Sequence, residues 1–213
     1  MDSGPCRREN LLPITIPGCP NVSIHQIRDG NTPTGWLVWP VAVELCEYLA
    51  STRTVFTNKR IIELGSGTGL VGIVCGILGC SKYLITDLPG ALPLCGKNIQ
   101  VNSANLIPGV VSLQPLSWGN DADIIAAGEG WDLIIGTDIV YHQEEFVLKA
   151  LAETVIRLSG ASSIFLLAYE DREGMIDDEA YFFSSIRRYY KSLEMVDLTG
   201  DGRYLYIFTQ FTV

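Results

Sequence analysis

The sequence predicts an α/β fold with a mostly parallel sheet, helices on both faces and an antiparallel hairpin at the C-terminus. From residue 40 onward, short apolar runs alternate with segments of helical periodicity, which is typical of a parallel sheet covered by helices. A glycine-rich turn joins the first apolar run to the next helical segment, as in sheets that bind a ligand at the carboxyl ends of their strands. The last two apolar runs are joined by residues 199–202, a turn-rich link with no crossover helix.

The individual elements follow from apolar spacing. Val41, Leu45 and Leu49 recur at helical intervals after Pro40, a residue that suits the first turn of a helix. Further helices are predicted over residues 70–78, 90–104, 144–158 and 176–191. Strands are predicted over residues 60–64, 83–87, 110–113, 131–136, 163–169, 193–198 and 204–211.

The segment before residue 35 has a different character from the rest of the chain. It is rich in Pro, Gly, Asn and Thr. Alternating apolar patches at residues 14–16 and 22–27 predict either short strands or an extended arm.

Composition restricts the class of protein and of partner. A hydrophobic fraction of 47% in 213 residues is enough for the core of one ordinary domain and argues against disorder. The formal net charge is −9 and no run of Lys and Arg interrupts it, so we expect a basic protein partner and no nucleic acid. No apolar run is long enough to span a bilayer, and the N-terminal residues lack the pattern of a signal peptide. We therefore expect a cytoplasmic protein with no membrane partner, and we expect it to be a monomer.

The cysteines and histidines form no recognisable metal or redox motif. No two of the six cysteines have the two-residue separation of a zinc ribbon or a redox pair. His25 and His142, the two histidines, lie far apart in the sequence. We therefore predict buried, reduced thiols and no metal site.

The turn that follows Glu63 carries the strongest functional signal. Gly65, Gly67 and Gly69 alternate after a predicted strand, where they let the chain turn sharply and let a ligand approach the backbone. A dinucleotide site would need a small residue at the position of Leu70. The Glu63 carboxylate is poorly placed beside phosphates but well suited to a cationic ligand. The turn therefore favours S-adenosylmethionine, which carries an ammonium and a sulfonium and no phosphate, over NAD.

Asp87 and three tryptophans are further candidates for a cofactor site. Asp87 ends the second predicted strand about 20 residues beyond the glycine turn, where a carboxylate accepts hydrogen bonds from ribose hydroxyls. Its alternative role is to cap the helix that follows. Trp118, after the third strand, lies either against an adenine face or in ordinary core or surface packing. The same alternatives hold for Trp36 and Trp39, just before the first helix.

Candidate substrate residues follow the fourth and fifth predicted strands. Asp138 either orients an amine through a charge-assisted hydrogen bond or caps the next helix. Tyr141 can supply an aromatic wall or a hydroxyl contact. The carboxylates at residues 170–173, Glu170 among them, either guide a basic substrate or belong to a solvated loop.

Together these motifs resemble those of the seven-strand lysine methyltransferases, of the methyltransferase-like family 21 or lysine methyltransferase family 16 type. This family is grouped around small human enzymes that modify chaperones, elongation factors and calmodulin. The glycine turn alone marks the wider methyltransferase superfamily. Asp138 and Tyr141 fit the Asp-x-x-Tyr motif that is specific to the family, and residues 169–172 fit its Tyr-Glu-x-Arg pattern.

The resemblance implies a Rossmann-like, seven-stranded methyltransferase domain at residues 36–213, preceded by an N-terminal arm at residues 1–35 with short strands. It implies S-adenosylmethionine as the cofactor and a protein lysine as the substrate, for example in a chaperone or a translation factor. The catalytic residues that hold the lysine would be Asp138, Tyr141 and Glu170. The cofactor would be bound by Trp39, Glu63, Gly65, Ser66, Gly67, Thr68, Gly69, Asp87, Leu88, Trp118 and Thr137.

Two other functions are compatible with the sequence. Nicotinamide methyltransferases have a similar core, so a small-molecule amine in a closed pocket is an alternative acceptor. A cofactor-binding partner protein without catalytic activity is the other alternative, and the intact Asp138 and Tyr141 argue against it.

Overall fold

Within the residues that the computed structural model describes, 8–28, 33–141, 143–172 and 176–212, nine strands form two sheets. The smaller sheet is a hairpin of β1 (Arg8–Ile14) and β2 (Val22–Arg28). The larger sheet contains β3 (Arg60–Leu64), β4 (Lys82–Asp87), β5 (Val111–Pro115), β6 (Leu133–Thr137), β7 (Ile164–Glu170), β8 (Tyr190–Asp197) and β9 (Arg203–Phe211).

The larger sheet has the spatial order β5-β4-β3-β6-β7-β9-β8. The first five strands in this order run parallel, and β9 lies antiparallel between β7 and β8. The predicted mostly parallel sheet with a C-terminal antiparallel hairpin is therefore confirmed. The chain reverses its direction of winding between β3 and β6, and open α/β sheets bind ligands in the crevice at that point.

Helices cover both faces of the sheet. In the described part of the chain they are α1 (Pro40–Ser51), α2 (Leu70–Leu78), α3 (Leu92–Val101), α4 (Asp121–Ala127), α5 (Glu145–Leu158) and α6 (Ile176–Ile186). Ile61 packs in the layer that contains α1 and α2, whereas the next residue, Ile62, packs in the layer that contains α5 and α6. Because both faces are covered, the central strands are apolar along nearly their whole length.

Helix α4 is not predicted from the sequence. Its seven residues bury only Ile124 and Ala127, so the apolar periodicity is too weak to predict a helix. Asn120 stabilises its start, because its side-chain oxygen accepts a hydrogen bond from the Asp123 N–H at 3.0 Å.

The predicted helix over 176–191 is too long. Helix α6 ends at Ile186 and β8 begins at Tyr190. The Tyr190 ring is fully buried and lies 5.1 Å from the ring of Phe211, centroid to centroid. This aromatic contact across the C-terminal hairpin favours the strand over continued helix.

Two buried asparagines hold the β1–β2 hairpin against α3. Asn98 accepts a hydrogen bond from the His25 N–H at 2.7 Å and donates one to the His25 carbonyl at 3.0 Å. Asn102 makes the equivalent pair with Ser23, at 3.0 and 2.7 Å. Asn98 also donates to the carbonyl of Thr68 at 2.9 Å, so a single amide contacts both the hairpin and the glycine turn.

No helix in the described ranges combines the length and apolar character needed to cross a membrane. The same residues contain no group of three or more His, Cys, Asp and Glu side chains that could hold a metal ion. The thiols of Cys19, Cys46, Cys75, Cys80 and Cys95 are free. Cys6 and His142 lie outside the described residues.

Candidate active site

A cavity of about 890 Å³ opens at the carboxyl ends of β3, β4 and β6. This volume is in the range of small-molecule sites. Register explains why the cavity forms there: Leu64 pairs with Thr86 on one side and with Gly136 on the other. Strands β3, β4 and β6 therefore end within one residue of one another across the sheet, and the segments that follow them leave the sheet side by side.

The cavity is lined by all of the residues proposed from the sequence except Gly69 and Glu170. Gly69 is the buried residue before α2, and a Cβ added to it would lie 3.3 Å from Ile85 Cδ1, beneath the turn. Glu170 contacts the cavity indirectly, because its carboxylate binds Arg172, which does line the cavity.

The glycine turn is tightly enclosed. Gly65 and Gly67 have φ values of +63° and +55°, a region that favours glycine. A Cβ on Gly65 would lie 2.7 Å from Ile139 Cγ2 and 3.2 Å from Trp118 Cζ2. A Cβ on Gly67 would lie 3.1 Å from the carbonyl oxygen of Gly35. The turn thus requires glycine for its backbone conformation and for its close neighbours.

Asp87 is tied to the glycine turn. Its Oδ2 accepts a hydrogen bond from the Gly67 N–H at 2.8 Å, and its Oδ1 accepts one from the Leu88 N–H at 2.7 Å. Burial raises the pKa of Asp87, and these two hydrogen bonds oppose the shift. The alternative that Asp87 caps the next helix is wrong, because α3 begins at Leu92 with Ala91 as its N-cap.

Glu63 lies at the floor of the cavity and is only 1% exposed. The Tyr83 hydroxyl donates to its Oε2 at 3.0 Å. Burial raises the pKa of Glu63 to about 8, although hydrogen bonds from Tyr83 and Ser66 act in the opposite direction. Near neutral pH this carboxyl is therefore mostly protonated, and a neighbouring cation would ionise it.

Other predicted cofactor residues have identifiable local roles. The Ser66 hydroxyl donates to the carbonyl of Thr86 at 3.2 Å, which ties the turn to β4. The Trp39 indole N–H donates to the carbonyl of Thr34 at 3.0 Å, which fixes the ring at the cavity wall.

Asp138 has the most unusual environment among the predicted substrate residues. Its φ of +55° is in the left-handed region, which is uncommon for a residue with a Cβ and is concentrated at functional sites. Its N–H donates to the carbonyl of Ala168 at 2.8 Å, which anchors it to the end of β7. The capping alternative is wrong here too, because α5 begins at Glu145 with Glu144 as its N-cap.

The Asp138 carboxylate is bound by Arg172 through two hydrogen bonds. Nη1 donates to Oδ1 at 2.8 Å and Nη2 donates to Oδ2 at 2.5 Å. The same Nη2 donates to Glu170 Oε2 at 3.1 Å. The Arg172 guanidinium also lies over the ring of Trp39, 5.6 Å from its centroid. The family resemblance places Asp138 and Glu170 in one substrate site, but the sequence does not predict that Asp138 is paired with Arg172.

Two buried oxygens of the cavity lining have no hydrogen-bond partner in the described part of the chain. They are Thr137 Oγ1 and Gln143 Oε1. Buried polar atoms of this kind are normally satisfied, so a ligand or water is expected to contact them. Thr137 is among the predicted cofactor residues. Gln143 is not, and the only sequence signal for it is its position two residues after Tyr141.

Comparison with known proteins identifies the family. Residues 20–189 match the family model described as lysine methyltransferase. The protein N-lysine methyltransferase METTL21A of Danio rerio is 38% identical over 160 residues, which cover 73% of this chain and 72% of that protein. The EEF1A lysine methyltransferase 3 of Xenopus tropicalis is 35% identical over 179 residues, which cover 84% of this chain and 75% of that protein.

Among solved structures, the fold is similar to that of the T. thermophilus 16S rRNA N2 G1207 methyltransferase RsmC in complex with AdoMet and guanosine. The TM-score is 0.67 at 13% identity, over 95% of this chain and 50% of that chain. This likeness shows the fold alone, and it agrees with the predicted Rossmann-like methyltransferase architecture. The family match and the sequence relatives go further: the chain belongs to the lysine methyltransferase family and is a protein-lysine N-methyltransferase.

Proposed function

We propose that this chain binds S-adenosylmethionine in the cavity and transfers its methyl group to a lysine ε-amine held beside Asp138. The observation that carries this proposal is the sheet register. It opens the glycine turn, Asp87 and the segment containing Asp138 into one cavity. A cofactor site and a substrate carboxylate therefore share one space.

The residues present fit this cofactor. Gly65 and Gly67 leave backbone exposed where any larger side chain would collide with its neighbours. Asp87 uses one lone pair on each carboxylate oxygen within the protein and keeps others for ribose hydroxyls. Trp118 lies against Gly65 and offers an aromatic face for the adenine. The unpaired Thr137 hydroxyl is a further contact for the cofactor.

When bound, S-adenosylmethionine supplies a methyl group on a positively charged sulfur, which becomes a neutral thioether as the methyl group leaves. The residues of the chain orient the acceptor. Asp138 orients the amine by a charge-assisted hydrogen bond, and Tyr141 forms the adjoining wall. The amine attacks through its lone pair, so it must first lose a proton, which passes to water.

The substrate class follows from charge and from the relatives. The chain has a net charge of −9, which suits a basic segment of a protein. One relative is named for its action on EEF1A. A translation factor is therefore the first protein to test, and a chaperone the second.

The proposal is tested with labelled S-adenosylmethionine and a cell lysate. We expect label on protein lysines, located by mass spectrometry. Label confined to the small-molecule fraction would support a small-molecule acceptor instead. Cofactor binding without any transfer would support a non-catalytic partner protein.

Cofactor binding is expected to release a proton from Glu63. Because burial raises the pKa of Glu63 to about 8, the carboxyl is mostly protonated near neutral pH, and a cationic ligand favours its ionised form. The affinity for S-adenosylmethionine should therefore increase as the pH rises toward about 8 and decrease above it, where the amino group of the ligand loses its charge. Calorimetry in two buffers with different ionisation enthalpies measures the released proton.

Glu63→Gln is the matched control for this measurement. The amide has nearly the same size but does not ionise, so we expect binding without proton release and with little pH dependence below a pH of about 8. Equal proton release by the wild type and this variant would mean that another group ionises, and it would contradict the role given to Glu63.

A further inference from the structure

In this structure the substrate carboxylates are already paired with a cation of the chain itself. The Asp138 side chain is only 4% exposed, and Arg172 donates to both of its oxygens at 2.8 and 2.5 Å. Both residues line the cavity, and the Arg172 side chain, which is 31% exposed, is the more accessible member of the pair.

Arg172 belongs to a chain of alternating charges. Its Nη2 also contacts Glu170, and Glu170 is in turn 3.6 Å from Arg203 Nε. Arg203 contacts Glu44 at 2.5 Å. Three carboxylates against two guanidinium groups leave one negative charge uncompensated. One additional cation would therefore neutralise the network, provided that it does not contact Arg172 or Arg203.

An entering lysine ammonium finds both Asp138 oxygens already accepting hydrogen bonds from Arg172, on a side chain that is only 4% exposed, so it can reach Asp138 only if Arg172 moves away. Arg172 has an alternative position within reach. Its Nη2 already donates to Glu170, and its guanidinium already lies over the Trp39 ring. Releasing Asp138 would leave Arg172 bound to a second carboxylate and an aromatic face.

We infer that Arg172 is a positioning residue that stands in for the substrate ammonium on Asp138 and moves toward Glu170 and Trp39 when a lysine enters. The inference rests on the proposed role of Asp138 in holding the lysine. It has a consequence for affinity: a cation binds Asp138 only by displacing Arg172, so removing the guanidinium strengthens cation binding.

The probe for this inference is n-butylammonium, which has the length and charge of a lysine side chain, with n-butanol as the neutral control. Its binding to the full chain is measured by NMR titration. We expect Arg172→Met to bind it about tenfold more tightly than the wild type does. Arg172→Lys restores a cation and is expected to return binding to the wild-type level, whereas a purely structural role predicts that both variants behave alike.

A matched control tests whether the tighter butylammonium binding is specific to Arg172 or follows from the loss of an ion pair elsewhere in the chain. Arg157 is 30% exposed, binds Asp121 at 2.5 Å and does not line the cavity, so Arg157→Met should leave butylammonium binding unchanged. Thermal unfolding checks that each variant is folded.

Adding Asp138→Asn to Arg172→Met distinguishes this inference from the proposed function. Tighter binding that is lost in the double variant supports both. Binding in Arg172→Met that is no tighter than in the wild type, or absent, overturns the stand-in role of Arg172. Binding that survives Asp138→Asn overturns the role of Asp138 in holding the lysine, and with it this part of the proposed function.

Discussion

Asp138→Asn is expected to slow methyl transfer by at least about 30-fold while leaving the affinity for S-adenosylmethionine nearly unchanged. Asparagine has the same size and tolerates the left-handed backbone at this position, so the fold is retained. It lacks the charge that orients the amine. Losing a charged partner in such a site costs about 2–5 kcal/mol, or roughly 30- to 5,000-fold in rate.

Transfer of tritium to protein lysines measures the activity of this variant, and calorimetry measures its cofactor affinity. Asp121→Asn is the control, because Asp121 is also paired with an arginine, Arg157, but lies away from the cavity. A large loss of cofactor affinity in Asp138→Asn would contradict the assignment of Asp138 to the substrate.

Gly65→Ala should reduce cofactor affinity by at least about tenfold, which corresponds to roughly 1.4 kcal/mol. Its φ of +63° costs a residue with a Cβ about 1–2 kcal/mol. In addition, the new Cβ would lie 2.7 Å from Ile139 Cγ2 and 3.2 Å from Trp118, which must both move. The moved groups line the cavity, so the cofactor contacts are disturbed together with the backbone.

Gly109→Ala distinguishes the effect of the positive φ from the effect of close packing around the new Cβ. Gly109 has a φ of +80°, but a Cβ there would meet no atom within 4 Å. Both variants should therefore unfold at a lower temperature than the wild type, whereas only Gly65→Ala should lose cofactor affinity. Equal affinities in the two variants would show that the close packing around Gly65 does not shape the site.

The sequence predicts those parts of the site that lie at strand ends. Gly65, Asp87 and Asp138 each follow an apolar run, and parallel strands bring such positions to one edge of the sheet. From the sequence alone, the capping alternatives for Asp87 and Asp138 remain open. A carboxylate that precedes a helix has the same sequence pattern whether it caps that helix or binds a ligand. Only the positions at which α3 and α5 begin exclude them.

The sequence does not predict contacts between side chains that are far apart along the chain. The pairing of Asp138 with Arg172 spans 34 residues and depends on the conformation of a loop. Gln143 lies outside any strand end, and its unpaired oxygen becomes visible only in the folded chain. Gly69 fits the glycine pattern as well as Gly65 does, yet it lies beneath the turn, because alternation in sequence does not say which glycine faces the ligand.

The shared amide of Asn98 has a consequence for chimeras made between relatives. The Nδ2 group of Asn98 donates both to His25 of the hairpin and to Thr68 of the glycine turn. A chimera that imports a foreign N-terminal segment would thus alter one of the supports of the glycine turn, which we propose contacts the cofactor. Such chimeras should also include α3 of the donor protein, so that the hydrogen bonds that join the hairpin to the glycine turn are kept.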